Sequence, residues 1–350
     1  MPRTARVEDK GAIGAPRGIR WGIVGPGGIA QKFARDLRVS DGGELRAVAG
    51  RDRMRAKDFA DRFGGELVFD DVRALAEEST VDIVYVATPH SHHAGVVEIL
   101  LGNGKPVLCE KPLTVNAGEA RHLIGLAREN GIFFMEAMWT RCLPVYRQVR
   151  RWLHEGRIGR CRSVDSSFCV RGNQDSDKRW LNPDLAGGGL LDLGVYNLAV
   201  TQLAIPSIPT RIQALAGMSA TGVDEWLSVS LAYPEGAFAR FACGFVAAGT
   251  NSLTIAGERG TIRIPDPFLS AQRAVCESNG EEITFEGRFL GEGFEFEINE
   301  AMRCLREGEV ESPLIPLDDT LATQQTMDRI RGQIGLRYPF ESGSPSSGGS

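Results

Sequence analysis

Two short stretches hold residue types suited to proton transfer. In A-G-G-G-L-L-D-L-G-V-Y-N-L-A-V, residues 186–200, three glycines lead into a helical run on which Asp192 and Tyr196 stand four apart and share one face. A tyrosine on that face could exchange a proton with a substrate hydroxyl or carbonyl oxygen. Its ordinary pKa of about 10 is high for work at neutral pH, and a neighbouring lysine cation would favour the phenolate. C-E-K-P, residues 109–112, supplies such a cation: Lys111 closes a strand against Pro112, on the edge where open α/β sheets place their ligands. Singly, each has an ordinary alternative, an exposed lysine or a half-buried core tyrosine.

A third stretch points to a phosphate. Gly25-Pro26-Gly27-Gly28-Ile29-Ala30 fits G-x-G-x-x-A between an apolar strand and an amphipathic helix. The first glycine allows a sharp turn and the second lets a pyrophosphate approach the backbone. Ala30 keeps helix and strand close, and the helix N-terminus, opened by Gly28 and Ile29, faces the anion. A plain strand-to-helix turn is the alternative. The end of the second strand, A-V-A-G-R-D, bears on which dinucleotide would bind. An NAD site usually has an acid there for the ribose hydroxyls. Here Gly50 and then Arg51 follow, with Asp52 one residue late and expected to point away. A guanidinium pairs with a 2′-phosphate that a carboxylate would repel, so NADP is expected, with NAD possible. A solvated loop charge is the alternative role for Arg51.

These stretches need a framework. From Ile19, short apolar runs alternate with helical ones: R-W-G-I-V-G, L-R-A-V-A-G, V-D-I-V-Y-V-A-T-P, P-V-L-C-E-K-P and I-F-F-M-E-A-M as strands, amphipathic segments between them. That alternation implies right-handed crossovers and a parallel sheet covered on both faces, a Rossmann-type α/β domain over residues 19–138. Residues 139–340 read as an α+β domain. A helix at P-V-Y-R-Q-V-R-R-W-L-H-E-G precedes strands within 161–171, 210–220, 225–234, 237–246, 251–264 and 281–287, and two helices close the chain. The strands suit one largely antiparallel sheet with an open face. E-W-L-S-V-S-L-A-Y-P is expected to offer apolar residues to that face, which would pack on a second copy as a homodimer or dimer of dimers. Residues 1–18 and 341–350, poor in apolar residues, are expected to be disordered.

Composition narrows the classes of function. With 42% hydrophobic and 24% charged residues and a net charge of −5, the 350-residue chain has the balance of a two-domain globular protein and no basic block for nucleic acid. A small-molecule substrate is the default. Seven scattered cysteines without a CxxC pair suit a reducing compartment, and neither a signal-type apolar segment nor a membrane-spanning run is present, so a cytoplasmic protein is expected. His90, His92 and His93 cluster, but without carboxylates or cysteines at ligand spacing no metal is expected.

In their order and spacing, G-x-G-x-x-A, A-T-P-H-S-H-H (87–93), C-E-K-P-L-T-V-N-A-G-E-A (109–120) and G-G-G-L-L-D-L-G-V-Y (187–196) resemble the glucose–fructose oxidoreductase/inositol dehydrogenase family over residues 19–340. F-F-M-E-A-M-W-T-R-C-L-P-V-Y and the segment from Glu311 to Pro339 are similar to its dimeric dihydrodiol dehydrogenase and xylose dehydrogenase branch. The resemblance implies that Lys111 and Tyr196 form the catalytic pair, with Asp192 holding the substrate or the tyrosine. It implies that Thr88, Pro89 and His90 border the cofactor's ribose and nicotinamide, with Glu110 beside them, and that His93 lies near the substrate. Trp139, Arg141, Phe168 and Trp180 become candidates for a sugar or diol pocket, with core packing the alternative for Phe168. Inositol-type members often carry D-x-G-x-H-x-x-D; Tyr196 and Ala199 replace the histidine and final aspartate here, favouring a tyrosine acid/base. The implied reaction is hydride transfer between NADP and a secondary alcohol or ketone of a sugar, cyclitol or trans-dihydrodiol. A non-catalytic dinucleotide sensor and a reductase of nucleotide-linked keto-sugars are the alternatives.

Overall fold

The computed structural model describes residues 18–172 and 178–343. The expected disordered ends therefore fall outside the described residues, apart from Gly18 and residues 341–343. Six strands, β1 (Ile19–Val24), β2 (Gly43–Ala49), β3 (Leu67–Phe69), β4 (Ile83–Val86), β5 (Val107–Glu110) and β6 (Phe134–Ala137), form one sheet in the order β3-β2-β1-β4-β5-β6. Every pair in it is parallel. β4, β5 and β6 are buried along their whole length, as strands covered on both faces must be. Helices α1 (Gly28–Leu37), α2 (Arg53–Phe63), α3 (Val72–Glu77), α4 (His93–Gly102) and α5 (Ala117–Asn130) make the crossovers. Strand order reverses between β1 and β4, so a crevice opens at their carboxyl ends, where Gly25 and Ala87 follow.

The second sheet has eight strands: β7 (Cys161–Cys169), β8 (Arg211–Met218), β9 (Asp224–Ala232), β10 (Phe238–Gly244), β11 (Leu253–Gly257), β12 (Gly260–Ile264), β13 (Arg273–Ser278) and β14 (Glu281–Glu286). Its order is β14-β13-β12-β11-β7-β10-β9-β8. All pairs are antiparallel except β7 with β10 at its centre. Helices α6 (Pro144–His154), α7 (Val195–Ala204) and α9 (Leu317–Ile334) pack against this sheet, while α8 (Glu295–Glu307) reaches back to α1 and β2. A π-helical turn, Leu190–Gly194, runs directly into α7 and carries Asp192. Such turns often mark functional sites.

Local details differ from the expectations or add to them. The segment 251–264 is a hairpin, β11 to β12, rather than one strand. β13 joins β14 through Asn279 and Gly280, both at positive φ, a turn chemistry legible as N-G. On β9, Leu227, Val229 and Leu231 point into the core, and the open face shows Trp226, Ser228, Ser230 and Ala232 beside Arg240 of β10 and exposed Leu215 and Phe238. Register parity decides this, because a strand's alternate residues share one face. Among the described residues no helix is long and apolar enough to cross a membrane. All seven cysteines are free.

Candidate active site

The glycines after β1 divide by physical role. Gly25 has φ +89°, and a Cβ there would lie 2.8 Å from the Ala87 carbonyl oxygen, so the close approach of two chain segments demands glycine. Gly27 and Gly28 are under no such demand. A Cβ on Gly27 would meet only the Gly25 oxygen at 4.0 Å, and one on Gly28 would meet nothing within 4 Å. Both border a cavity of about 740 Å³, together with Gly25 and Ile29. Gly27 is also the N-cap of α1 and offers no side-chain acceptor, so the helix's first N–H groups remain available to an anion. Ala30 is fully buried beneath them. Nearby, Thr88 Oγ1 is buried without a hydrogen-bond partner on the same cavity wall. An open cradle, a free helix terminus and an orphaned hydroxyl fit a dinucleotide.

At one end of the cavity the walls are cationic. A Cβ on Gly50 would come within 2.9 Å of Pro26 Cδ, so Pro26 of the glycine turn bars any ribose-binding acid from that position. Arg51 lines the cavity, and so do Arg55 and His92, neither singled out as a cofactor residue from sequence. The four-residue spacing of Arg51 and Arg55 could have revealed the first. Burial, with the Arg51 charge, lowers the His92 pKa. Asp52 also borders the cavity, but its Oδ1 accepts from the Met54 and Arg55 N–H groups and caps α2. Asp70 lies on the same wall.

At the other end stand Pro89, His90, Glu110, Lys111, Asp192 and Tyr196. Lys111 Nζ donates to the Asp192 carbonyl at 2.7 Å and to Asp192 Oδ1 at 2.9 Å, and sits 4.9 Å from the Tyr196 ring centroid. Arg179 Nη2 donates to Asp192 Oδ2 at 3.0 Å. Burial opposes ionisation of Asp192, but Lys111 and Arg179 outweigh it and hold the carboxyl far below its usual range. Burial likewise opposes the Lys111 charge, yet Asp192 and the neighbouring anionic groups raise its pKa. Arg179 also reaches His90 Nε2 at 3.3 Å, while His90 Nδ1 donates to the Ala186 carbonyl at 3.0 Å. Burial and the Arg179 charge keep His90 neutral, so its 3.9 Å approach to Asp192 is not an ion pair. No spacing rule pointed to Arg179; only the fold brings it to Asp192.

Tyr196 departs from the sequence argument in one respect. Lys111 favours its phenolate, but burial prevails and pushes the pKa up to about 12. Glu110 accepts from Tyr85 Oη at 2.5 Å and from the Lys111 N–H at 3.0 Å, and burial raises its pKa.

The residues expected to line a substrate pocket lie elsewhere. Trp139, Arg141, Phe168 and Trp180 do not border this cavity. Arg141 pairs with Asp319 at 2.8 Å, and Trp180 packs beside Phe245. Phe168 meets Tyr196 edge-on at 5.6 Å, and the Trp139 indole donates to Tyr196 Oη at 3.0 Å. His93 borders the cavity, but its ring nitrogens lie 2.9 Å from the Pro112 and Thr88 carbonyl oxygens, and burial lowers its pKa to about 4. A neutral imidazole carries one N–H, so one of these contacts is a hydrogen bond, and it links the loops that follow β4 and β5. Among the described residues no group of three metal-ligating side chains forms.

Comparison with known proteins adds a family. Residues 19–138 match a model described as "Oxidoreductase family, NAD-binding Rossmann fold", and residues 146–263 match the GFO/IDH/MocA C-terminal domain. A trans-1,2-dihydrobenzene-1,2-diol dehydrogenase from Bos taurus is 35% identical over 334 residues, covering 92% of this chain and 98% of that protein. A D-xylose 1-dehydrogenase (NADP(+)) from Hypocrea jecorina is 33% identical, covering 94% of this chain and 95% of its own length. Among solved structures, a 3-ketoreductase from Actinomadura kijaniata in complex with NADP and TDP-benzene is similar at TM-score 0.79 and 30% identity, covering 91% of this chain and 98% of that one.

Proposed function

The chain belongs to the GFO/IDH/MocA oxidoreductase family, and from that premise we propose an NADP-dependent enzyme with Tyr196 as acid/base and Lys111 as its cation. The substrate carries a secondary alcohol or ketone on a sugar, a cyclitol or a trans-dihydrodiol. One observation carries this reading: a single cavity runs from the open glycine turn to Lys111, Asp192 and Tyr196. A pure dinucleotide sensor has no need of that buried trio.

Gly27, Gly28 and the first turn of α1 would hold the pyrophosphate, and Thr88, Pro89 and His90 would flank the ribose and nicotinamide. Arg51 and Arg55 would meet the 2′-phosphate. The xylose dehydrogenase named for NADP(+) and the NADP-bound ketoreductase support that choice. When bound, the dinucleotide supplies or accepts the hydride.

Proton movement belongs to the protein. With its pKa raised to about 12, Tyr196 is a neutral phenol at physiological pH, ready to protonate a carbonyl oxygen as it gains charge. Asp192, anchored by Lys111 and Arg179, keeps the lysine charged and over the tyrosine ring. In oxidation the same phenol must first lose its proton, so that direction quickens as pH rises.

The test is a screen of aldoses, cyclitols, trans-dihydrodiols and nucleotide-linked keto-sugars with NADP and NAD, read at the reduced-nicotinamide absorbance band. Turnover with at least one class and preference for NADP are expected. Cofactor binding without turnover on any of the four classes would favour the sensor.

A further inference from the structure

We infer that Trp139 is a positioning residue for proton transfer, its indole N–H fixing where the Tyr196 hydroxyl can send its proton. This rests on the proposal that Tyr196 moves the proton, and it assigns Trp139 a task other than lining a pocket.

The geometry is specific. Trp139 Nε1 donates to Tyr196 Oη at 3.0 Å, with both side chains buried. The indole is held rigidly, stacked on Phe294 with ring centroids 5.0 Å apart and 11° between planes. Gly293, at φ +106°, lets the chain pass so close that a Cβ there would lie 2.9 Å from Trp139 Cζ3. Phe168 braces the opposite partner, meeting the Tyr196 ring edge-on.

An indole nitrogen donates and never accepts. It therefore occupies a lone pair of Tyr196 Oη and cannot take the phenol's own proton. Among the described residues that O–H has no protein acceptor, and Tyr196 lines the cavity, so the proton is left for a substrate oxygen. Once the proton has gone, the phenolate keeps a donor already in place, which favours the charged form against burial. The other groups around the phenol act through charge: Lys111 favours the phenolate, whereas Glu110 and Asp192 oppose it, and Tyr85, whose own pKa burial raises, stays uncharged. Arg179 and His90 lie beyond Asp192 and reach Tyr196 through it. Within that set, Trp139 supplies the hydrogen bond to Oη.

Trp139→Phe keeps an aromatic ring against Phe294 and removes the N–H. The full chain is prepared with 3,5-difluorotyrosine at position 196, whose phenol is more acidic than tyrosine's, and titrated by ¹⁹F NMR with and without Trp139→Phe. The phenol pKa should rise by about one unit, the worth of one neutral hydrogen bond. Phe168→Leu, which loosens packing on the same ring but keeps the indole N–H, should not raise that pKa. Turnover of Trp139→Phe should fall about tenfold while NADP affinity holds. An unchanged phenol pKa in Trp139→Phe overturns the inference, whatever happens to rate. Should that variant fail to fold, ¹⁵N-labelled indole in the unsubstituted chain replaces it. One indole N–H must then follow the Tyr196 titration and move in Tyr196→Phe; no such response overturns the inference as well. If Tyr196→Phe keeps full turnover, the acid/base proposal falls instead, and the titration still shows whether the indole tunes the phenol.

Discussion

The proposed preference for NADP rests on individual side chains, Pro26 and Gly50 among them. The proline ring stands 2.9 Å from where a Cβ on Gly50 would lie, which disfavours an acidic side chain there, and in the proposed reading the cations beyond it recognise the phosphate. Arg51→Ala should weaken NADP binding by about 1–3 kcal/mol, the range for a charge-assisted hydrogen bond, and leave NAD binding almost unchanged. Fluorescence titration with both cofactors checks this; equal losses for the two would remove Arg51 from the 2′-phosphate. At this scale the sequence was informative wherever chemistry follows from residue type and spacing. Gly25, Arg51, Lys111, Asp192 and Tyr196 all border one cavity. It was uninformative wherever direction matters: nothing in the string shows that the Trp139 N–H points at a phenol, or that both His93 nitrogens meet backbone carbonyls.

Elements place these groups, and two of them offer sharp tests. The turn from β1 into α1 separates folding from binding. Gly27 has ordinary backbone angles and space around it, so Gly27→Ala should keep stability within about 1 kcal/mol of the parent. NADP affinity should fall at least tenfold, because the added methyl enters the cradle; calorimetry and thermal melts on one preparation read both. Unchanged affinity would mean that no phosphate lies there. The start of the π-helical turn depends on Asp224 of β9, whose Oδ2 accepts from the Leu190 N–H at 2.6 Å. Burial raises its pKa to about 7, against about 3.9 in an unfolded chain. The folded state therefore holds the extra proton between those values, and this stabilisation is complete below about pH 4 and lost as pH rises through 7. Parent stability should accordingly fall between pH 5 and pH 8 relative to Asp224→Asn. Denaturant melts that show parallel pH dependence in the two chains would contradict this. The amphipathic helices α1 and α5 were legible from their patterns, and β4 from its β-branched run. β3 is only three residues long and did not stand out; the β11–β12 bend, Gly257-Glu258-Arg259-Gly260, does carry a glycine and charge signal in the sequence.

For the molecule as a whole, the open face of the second sheet is proposed as the homodimer contact. Exposed Leu215 and Phe238, at 79% and 43%, stand among serines there, a mixed surface suited to a second copy. Light scattering should give a dimer, and Leu215→Glu combined with Phe238→Glu should yield monomers; a monomeric parent at micromolar concentration would refute the contact. Both domains line the cavity, whose glycine turn follows β1 and whose tyrosine lies on α7. The central claim is that this shared cavity unites dinucleotide binding with proton transfer by Tyr196. Its most direct test is Tyr196→Phe, with turnover and NADP affinity measured on the same preparation. The account predicts unchanged NADP affinity and turnover lower by about 10²–10⁴-fold, the range for a lost general acid/base. Near-normal turnover would contradict it and leave Tyr196 a packed side chain.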